Sequence, residues 1–210
     1  MSDLVLYTNP MSRGRIARWM LEETGQPYRT EIISFGPHRK NADFLAINPM
    51  GKVPALTHGD AIITETPAIC AYLADAFPQA GLAPAPDSKE RAAYYRWLFF
   101  AAGPIEQAVT TKAMGITVPD DKRGMIGFGS LDLVLDTLAD HLEDRDYIAT
   151  DGFTAADLYV GAHLGWGMMF GTIDKRPVFE KYFGKLAERP AAIRAREIDD
   201  KLAAEMQQPS

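Results

Sequence analysis

Cysteine is almost absent from these 210 residues: Cys70 stands alone. A single thiol closes no internal disulfide, which fits a reducing compartment and a cytoplasmic location. With no C-x-x-C pair in the chain, dithiol exchange is excluded as well. Histidine is scarce, and His38, His58, His141 and His163 lack ligand-like spacing, so no metal site is expected. Positive charge does not predominate. The 22 lysines and arginines are outnumbered by 28 aspartates and glutamates, leaving a formal charge of −6, and the basic positions are scattered. A nucleic-acid role, which needs a concentrated basic surface, is therefore not expected. No apolar run approaches bilayer length; the longest aromatic-rich stretch is only Trp97 to Ala102. Met1-Ser2-Asp3 opens without a basic segment and an apolar core, so no secretory signal is expected.

What is present is an ordinary globular composition, 47% hydrophobic and 24% charged, that changes character near residue 80. Before that point short β-like runs alternate with helical ones. Asp3 to Thr8 predicts a strand broken by Asn9-Pro10, and Arg13 to Glu23 a helix closed by Gly25 and Pro27. Tyr28 to Ser34 predicts a second strand, and Asn41 to Ile47 a short helix stopped by Asn48-Pro49. Val53 to Thr57 and Ala61 to Thr64 form a hairpin about His58-Gly59-Asp60. Thr66 to Phe77 is a helix with Thr66 as its expected N-cap and Pro67 at its first position.

Pro78 to Pro86 is rich in proline and reads as a connection, after which nearly everything is helical. Gly103-Pro104 predicts a kink in the long helix that starts near Ser88. Leu131, Leu135, Leu138 and Leu142 form one apolar stripe. Thr154 and Asp157 make a capping box, with Phe153 and Leu158 at the two staple positions. Gly161 and Gly165 predict close packing of two helices. Cys70 lies in A-I-C-A-Y-L and reads as a buried small hydrophobe.

Two segments carry chemistry. In Asn48 to Leu56 (N-P-M-G-K-V-P-A-L) the proline after Val53 holds Val53 extended. The amide and carbonyl of Val53 are then either open to an incoming peptide or simply those of a protected edge strand. In Thr64 to Ile69 (T-E-T-P-A-I) a helix start offers unpaired amides to a carboxylate, and Glu65 beside it suits an ammonium group. Together they match an amino-acid head group; the alternative is a plain helix cap at Thr66.

These two segments, in this order behind the turn Tyr7 to Arg15 (Y-T-N-P-M-S-R-G-R), resemble the glutathione transferase family along the whole chain. The likeness is to bacterial, theta-like and beta-like members, with serine where the beta-like ones carry cysteine. It implies a thioredoxin-like α/β domain over residues 1–80 that binds glutathione, followed by an all-α domain over 88–210 that contributes the electrophile pocket. It further implies a cis Pro54, with Val53 pairing its backbone with the cysteinyl residue. Glu65 and Thr66 would hold the γ-glutamyl head group. Lys40 and Lys52 would approach the carboxylates, with Arg39 competing with Lys40 for the glycyl one. The implied assembly is a homodimer. The implied activity is attack of the glutathione thiol on a small apolar electrophile in cytoplasmic detoxification. A glutathione-dependent peroxidase or isomerase, and a binding or stress-response protein without turnover, are the alternatives.

A free thiol has a pKa near about 8.5, so a transferase must favour the thiolate with a hydrogen-bond donor and a positive helix end. Ser12, just ahead of the first helix, meets both needs, though the same hydroxyl also suits an N-cap. Tyr7, Thr8 and Asn9 are the rivals. No cysteine lies near this turn, which excludes a mixed disulfide with glutathione there. Met11, Phe35, Tyr94 and Trp97 are the expected pocket-lining groups, and Trp166 to Phe170 adds apolar surface; at helical spacing the alternative for all of these is core.

Overall fold

The computed structural model describes residues 3–35 and 42–207. These form two compact units, one running up to Leu82 and joined by the chain from Arg189 onward, the other spanning Ala83–Glu188.

The first unit is built on a four-stranded sheet ordered β2-β1-β3-β4, with β1 Leu4–Thr8, β2 Arg29–Ile32, β3 Ala55–His58 and β4 Ala61–Thr64. β1 and β2 are parallel; β1 with β3 and β3 with β4 are antiparallel. Apart from half-buried Tyr7, β1 is buried, as a central strand covered on both faces must be. Helix α1, Gly14–Thr24, forms the crossover between the parallel strands and buries Ile16, Ala17, Trp19, Met20 and Leu21. It ends where Gly25 turns left-handed at φ 66° and returns its N–H to the Glu22 carbonyl, the conformation that glycine adopts without Cβ strain. A short helix α2, Ala42–Ile47, follows, and α3, Thr66–Ala76, continues directly from β4.

In one detail the sequence expectation is corrected. Thr66 is the first residue of α3 and not its cap; Glu65 occupies the cap position, because its carbonyl accepts the first intrahelical bond from Ile69 N at 2.9 Å. Cys70 is fully buried in α3, and burial pushes its thiol up to about 12.

The expected helical domain runs to residue 210, whereas helix α9, Pro190–Gln207, belongs to the first unit. Charge explains the docking. α1 is basic at its start and acidic at its end, and α9 has the same order, so an antiparallel pair matches opposite charges. Arg15 meets Asp200 at 2.7 Å, Arg18 meets Asp199 at 2.8 Å, Arg194 meets Glu22 at 3.1 Å and Arg189 meets Glu23 at 2.7 Å. Most of this zipper is partly exposed, but Arg18 and Asp199 are fully buried.

The second unit is helical. α4, Glu90–Phe100, runs into α5, Glu106–Ala113, through a π-helical turn over Ala101–Ile105 that holds Pro104, so the expected irregularity at Gly103-Pro104 takes this form. α6, Leu131–Leu142, buries Val134, Leu135, Leu138 and Leu142. α7, Ala155–Phe170, opens with the expected capping box. The Asp157 carboxylate there accepts from Thr154 N and Oγ1 at 2.9 Å each, and from Ile148 N and Tyr182 Oη at 2.7 Å each. A Cβ on Gly161 or Gly165 would overlap Leu186 or Phe183 of α8, Pro177–Ala187, which accounts for both glycines. Tyr94 and Trp97, expected to line a pocket, are instead fully buried in this unit, where Trp97 stacks on His141 of α6 at 4.4 Å. Large aromatics on the inner face of a helix fill the core because that removes the most apolar area from water. Among the described residues no helix is long and apolar enough to cross a membrane, and no cluster suited to a metal ion occurs.

Candidate active site

Register brings the chemistry to one edge of the first unit. Tyr7 of β1 pairs with Ala55 at the start of β3, and Ala55 pairs with Thr64 at the end of β4. The segments next to these positions therefore emerge side by side: the turn after β1, the Val53-Pro54 segment before β3, and the start of α3 after β4.

The turn is held by its own polar groups. Asn9 is buried and occupied at both ends of its amide, donating from Nδ2 to the Ile33 carbonyl at 2.8 Å and accepting from Met11 N at 2.9 Å. Ser12 is half-buried; its hydroxyl donates to the Asn9 carbonyl at 2.7 Å and accepts from Gly14 N at 3.0 Å. A Cβ at position 14 would overlap Thr8 Oγ1, so only glycine lets α1 start this close to β1. Arg15, assigned no role from sequence, closes the turn by donating from Nε to the Pro10 carbonyl at 2.5 Å.

This geometry sorts the four thiol-donor candidates. Thr8 is fully buried, and Asn9 is committed to holding the turn. Tyr7 points away: its ring packs on Phe44 of α2 at 5.9 Å and lines a cavity of about 290 Å³ with Val5, Ile33 and Ile47. Ser12 alone combines a hydroxyl, partial exposure and a place at the start of α1.

The Asn48–Pro54 loop is braced by Asn48, which is buried, donates from Nδ2 to the Lys52 carbonyl at 2.8 Å and accepts from Met50 N at 3.2 Å. Beyond stopping the preceding helix, this asparagine is a buried carboxamide that bridges both limbs of the loop. Val53-Pro54 is cis. Among the described residues neither the amide nor the carbonyl of Val53 has a hydrogen-bond partner, and the Lys52 side chain is exposed.

At the start of α3, Glu65 adopts φ 65° and ψ 119°, the only positive φ on a non-glycine residue among those described. Such a conformation costs about 1–3 kcal/mol and is characteristic of ligand clamps. Glu65 is exposed, and Thr66 beneath it is buried. Pro67 has no N–H, and the amides of Thr66 and Ala68 lack partners among the described residues, which leaves two donors at the positive end of the helix. Met11 and Phe35 are exposed apolar side chains. Lys40 and Arg39 lie outside the described residues.

Two domain models match the chain: glutathione S-transferase, N-terminal domain, over residues 11–76, and glutathione S-transferase, C-terminal domain, over residues 102–190. Glutathione S-transferase 3 of Zea mays is 30% identical over 206 residues, covering 91% of this chain and 92% of that protein. Among solved structures, a sphingomonad glutathione S-transferase complexed with glutathione is similar at a TM-score of 0.77 and 31% identity, covering 93% of this chain and 98% of its own. A glutathione transferase from Methylococcus capsulatus superposes at 0.80 with 30% identity, covering 94% and 99%. Sequence and fold agree over nearly the full length of both partners, and the chain belongs to the glutathione S-transferase family.

Proposed function

We propose that this enzyme binds glutathione at the end of the sheet where β1 and β4 finish and β3 begins, and transfers it to a small apolar electrophile. The observation that carries the reading is the convergence of two unpaired binding groups, the Val53 backbone and the Thr66 and Ala68 amides beside Glu65, next to the turn that holds the half-buried Ser12 hydroxyl. An extended cysteinyl residue takes both hydrogen bonds of Val53. The γ-glutamyl carboxylate sits on the Thr66 and Ala68 amides, its ammonium group pairs with Glu65, and Lys52 and Lys40 draw the remaining carboxylate.

This places the sulfur beside the turn after β1. Ser12 swings its O–H from the Asn9 carbonyl to the sulfur while Gly14 N continues to hold its oxygen, so the thiolate gains a donor and the positive start of α1. The thiol proton leaves to solvent, the sulfur lone pair forms the bond to the electrophilic carbon, and the leaving group departs with its electron pair. Exposed Met11 and Phe35 supply apolar surface for that partner. The working form is a cytoplasmic homodimer acting in detoxification, with sedimentation equilibrium as the check on assembly.

A second reading is favoured by one observation: the Ser12 hydroxyl is already satisfied by Asn9 and Gly14, as a purely structural cap requires. The protein would then bind glutathione without turnover. Turnover of a chloronitrobenzene and of cumene hydroperoxide, with ultraviolet titration of the bound thiolate in Ser12→Ala, separates the two. The catalytic reading expects the bound thiol of the variant to titrate about one unit higher, with rate recovered at alkaline pH and affinity nearly unchanged. A variant that titrates like the parent makes Ser12 a cap only.

A further inference from the structure

The Arg15 side chain bridges two places that are far apart in sequence. Its Nε donates to the Pro10 carbonyl at 2.5 Å, inside the turn after β1. Its Nη1 donates to Asp200 Oδ1 at 2.7 Å, on α9, 185 residues later. The guanidinium is planar, so the direction of one hydrogen bond dictates that of the other. The turn it grips has little slack. Ser12 N bonds the Asn9 carbonyl at 3.1 Å and Arg15 N bonds the Ser12 carbonyl at 3.2 Å, so the backbone is pinned on both sides of the Pro10 contact. Neighbouring pairs reinforce the placement of α9, since Arg18 with Asp199 and Arg194 with Glu22 fix its register on α1.

We propose that Asp200 is a positioning residue for the thiol chemistry: it orients Arg15, Arg15 holds the Pro10 carbonyl, and the turn thereby presents the Ser12 hydroxyl in reach of the sulfur. The C-terminal helix is then part of the catalytic apparatus as well as packing. The inference rests on the reading of Ser12 as the thiol donor. It assigns Asp200 no contact with glutathione, which separates its signature from that of the head-group residues.

The test uses the intact protein with Asp200→Asn, Asp200→Glu, Arg15→Lys and Ser12→Ala, glutathione and a chloronitrobenzene. Because Asp200 is 59% exposed and Arg15 27%, the single pair carries a modest effect. Asp200→Asn is expected to lower kcat by about fivefold and to move the bound thiol's titration upward by about half a unit. KM for glutathione stays within about twofold, because uniform binding is untouched. Asp200→Glu restores most of the loss. Arg15→Lys, which cannot make both bonds in one plane, loses about tenfold. In the Ser12→Ala background Asp200→Asn adds nothing further. An Asp200→Asn variant with altered melting temperature but parental kcat and thiol titration overturns the inference, as does a change confined to KM. If Ser12→Ala responds and Asp200→Asn does not, only this inference falls; if Ser12→Ala itself titrates like the parent, the Ser12 reading falls and takes this one with it.

Discussion

Replacing Arg18 with methionine tests what holds α9 in place. Arg18 and Asp199 are 1% and 0% exposed, whereas the pair of Arg15 with Asp200 is 27% and 59% exposed. Exposed pairs contribute about 0–1 kcal/mol, but removing one partner of a buried pair leaves an uncompensated charge and costs about 3–5 kcal/mol. Arg18→Met also removes the hydrogen bonds that Arg18 Nη1 donates to Tyr28 Oη and Thr30 Oγ1 at 3.1 and 3.2 Å, although Tyr28 keeps its bond to Glu22 at 2.7 Å. The expected loss at neutral pH is therefore about 4 kcal/mol, read as a lower urea midpoint.

The sign with pH follows from Asp199. Burial holds its carboxyl above the ordinary value and Arg18 opposes that rise, so without Arg18 the carboxyl climbs further. A carboxyl raised on folding contributes stability that is fully present below its unfolded pKa and is lost as pH rises through the folded one. The deficit of Arg18→Met should accordingly be small in acid and grow toward neutrality. Adding Asp199→Asn to Arg18→Met removes the stranded carboxylate, restores part of the stability at neutral pH and abolishes the extra pH dependence. A deficit below about 1 kcal/mol, or one independent of pH, refutes the argument that a buried charge pair anchors this helix.

Two further outcomes follow from the same geometry. Glu65→Ala removes a charged contact of about 1.5–3 kcal/mol, so the glutathione dissociation constant measured by calorimetry should rise about tenfold or more. Unchanged affinity would place the head group elsewhere. Asp157→Ala leaves the donors on Ile148, Thr154 and Tyr182 unsatisfied in the interior, and chemical denaturation should show a loss of about 3–5 kcal/mol, far above that of an exposed cap.

Much of the local structure was legible because it depends on neighbours in sequence. The Asn9-Pro10 break, the Gly25 stop, the two strands around Gly59-Asp60 and the Thr154–Asp157 box each draw on interactions within a few residues, and the observed elements lie close to those expected. The motif N-P-M-G-K-V-P with T-E-T-P-A-I carried the family likeness, including the cis Val53-Pro54 bond. A Thr-Pro pair suits the start of a helix at either of two positions, so sequence alone does not separate a cap at Thr66 from one at Glu65. The carbonyl of Glu65, held in a backbone conformation that residue rarely adopts, decides between them.

Other features belong to tertiary structure alone. Tyr94 and Trp97 read equally well as pocket or core, since helical periodicity reports a buried face without saying what covers it. Thr8, Asn9 and Tyr7 became distinguishable from Ser12 only through tertiary contacts: Thr8 is fully buried, Asn9 bonds the Ile33 carbonyl and Tyr7 packs on Phe44. The pairing of Arg18 with Asp199 spans 181 residues, and nothing local marks either as buried. By itself the sequence determined the elements and their order, because these depend on short-range sterics and periodicity. Which helix packs against α1 and braces the turn after β1 was decided only in three dimensions, where distant charges and carbonyls come within hydrogen-bonding range.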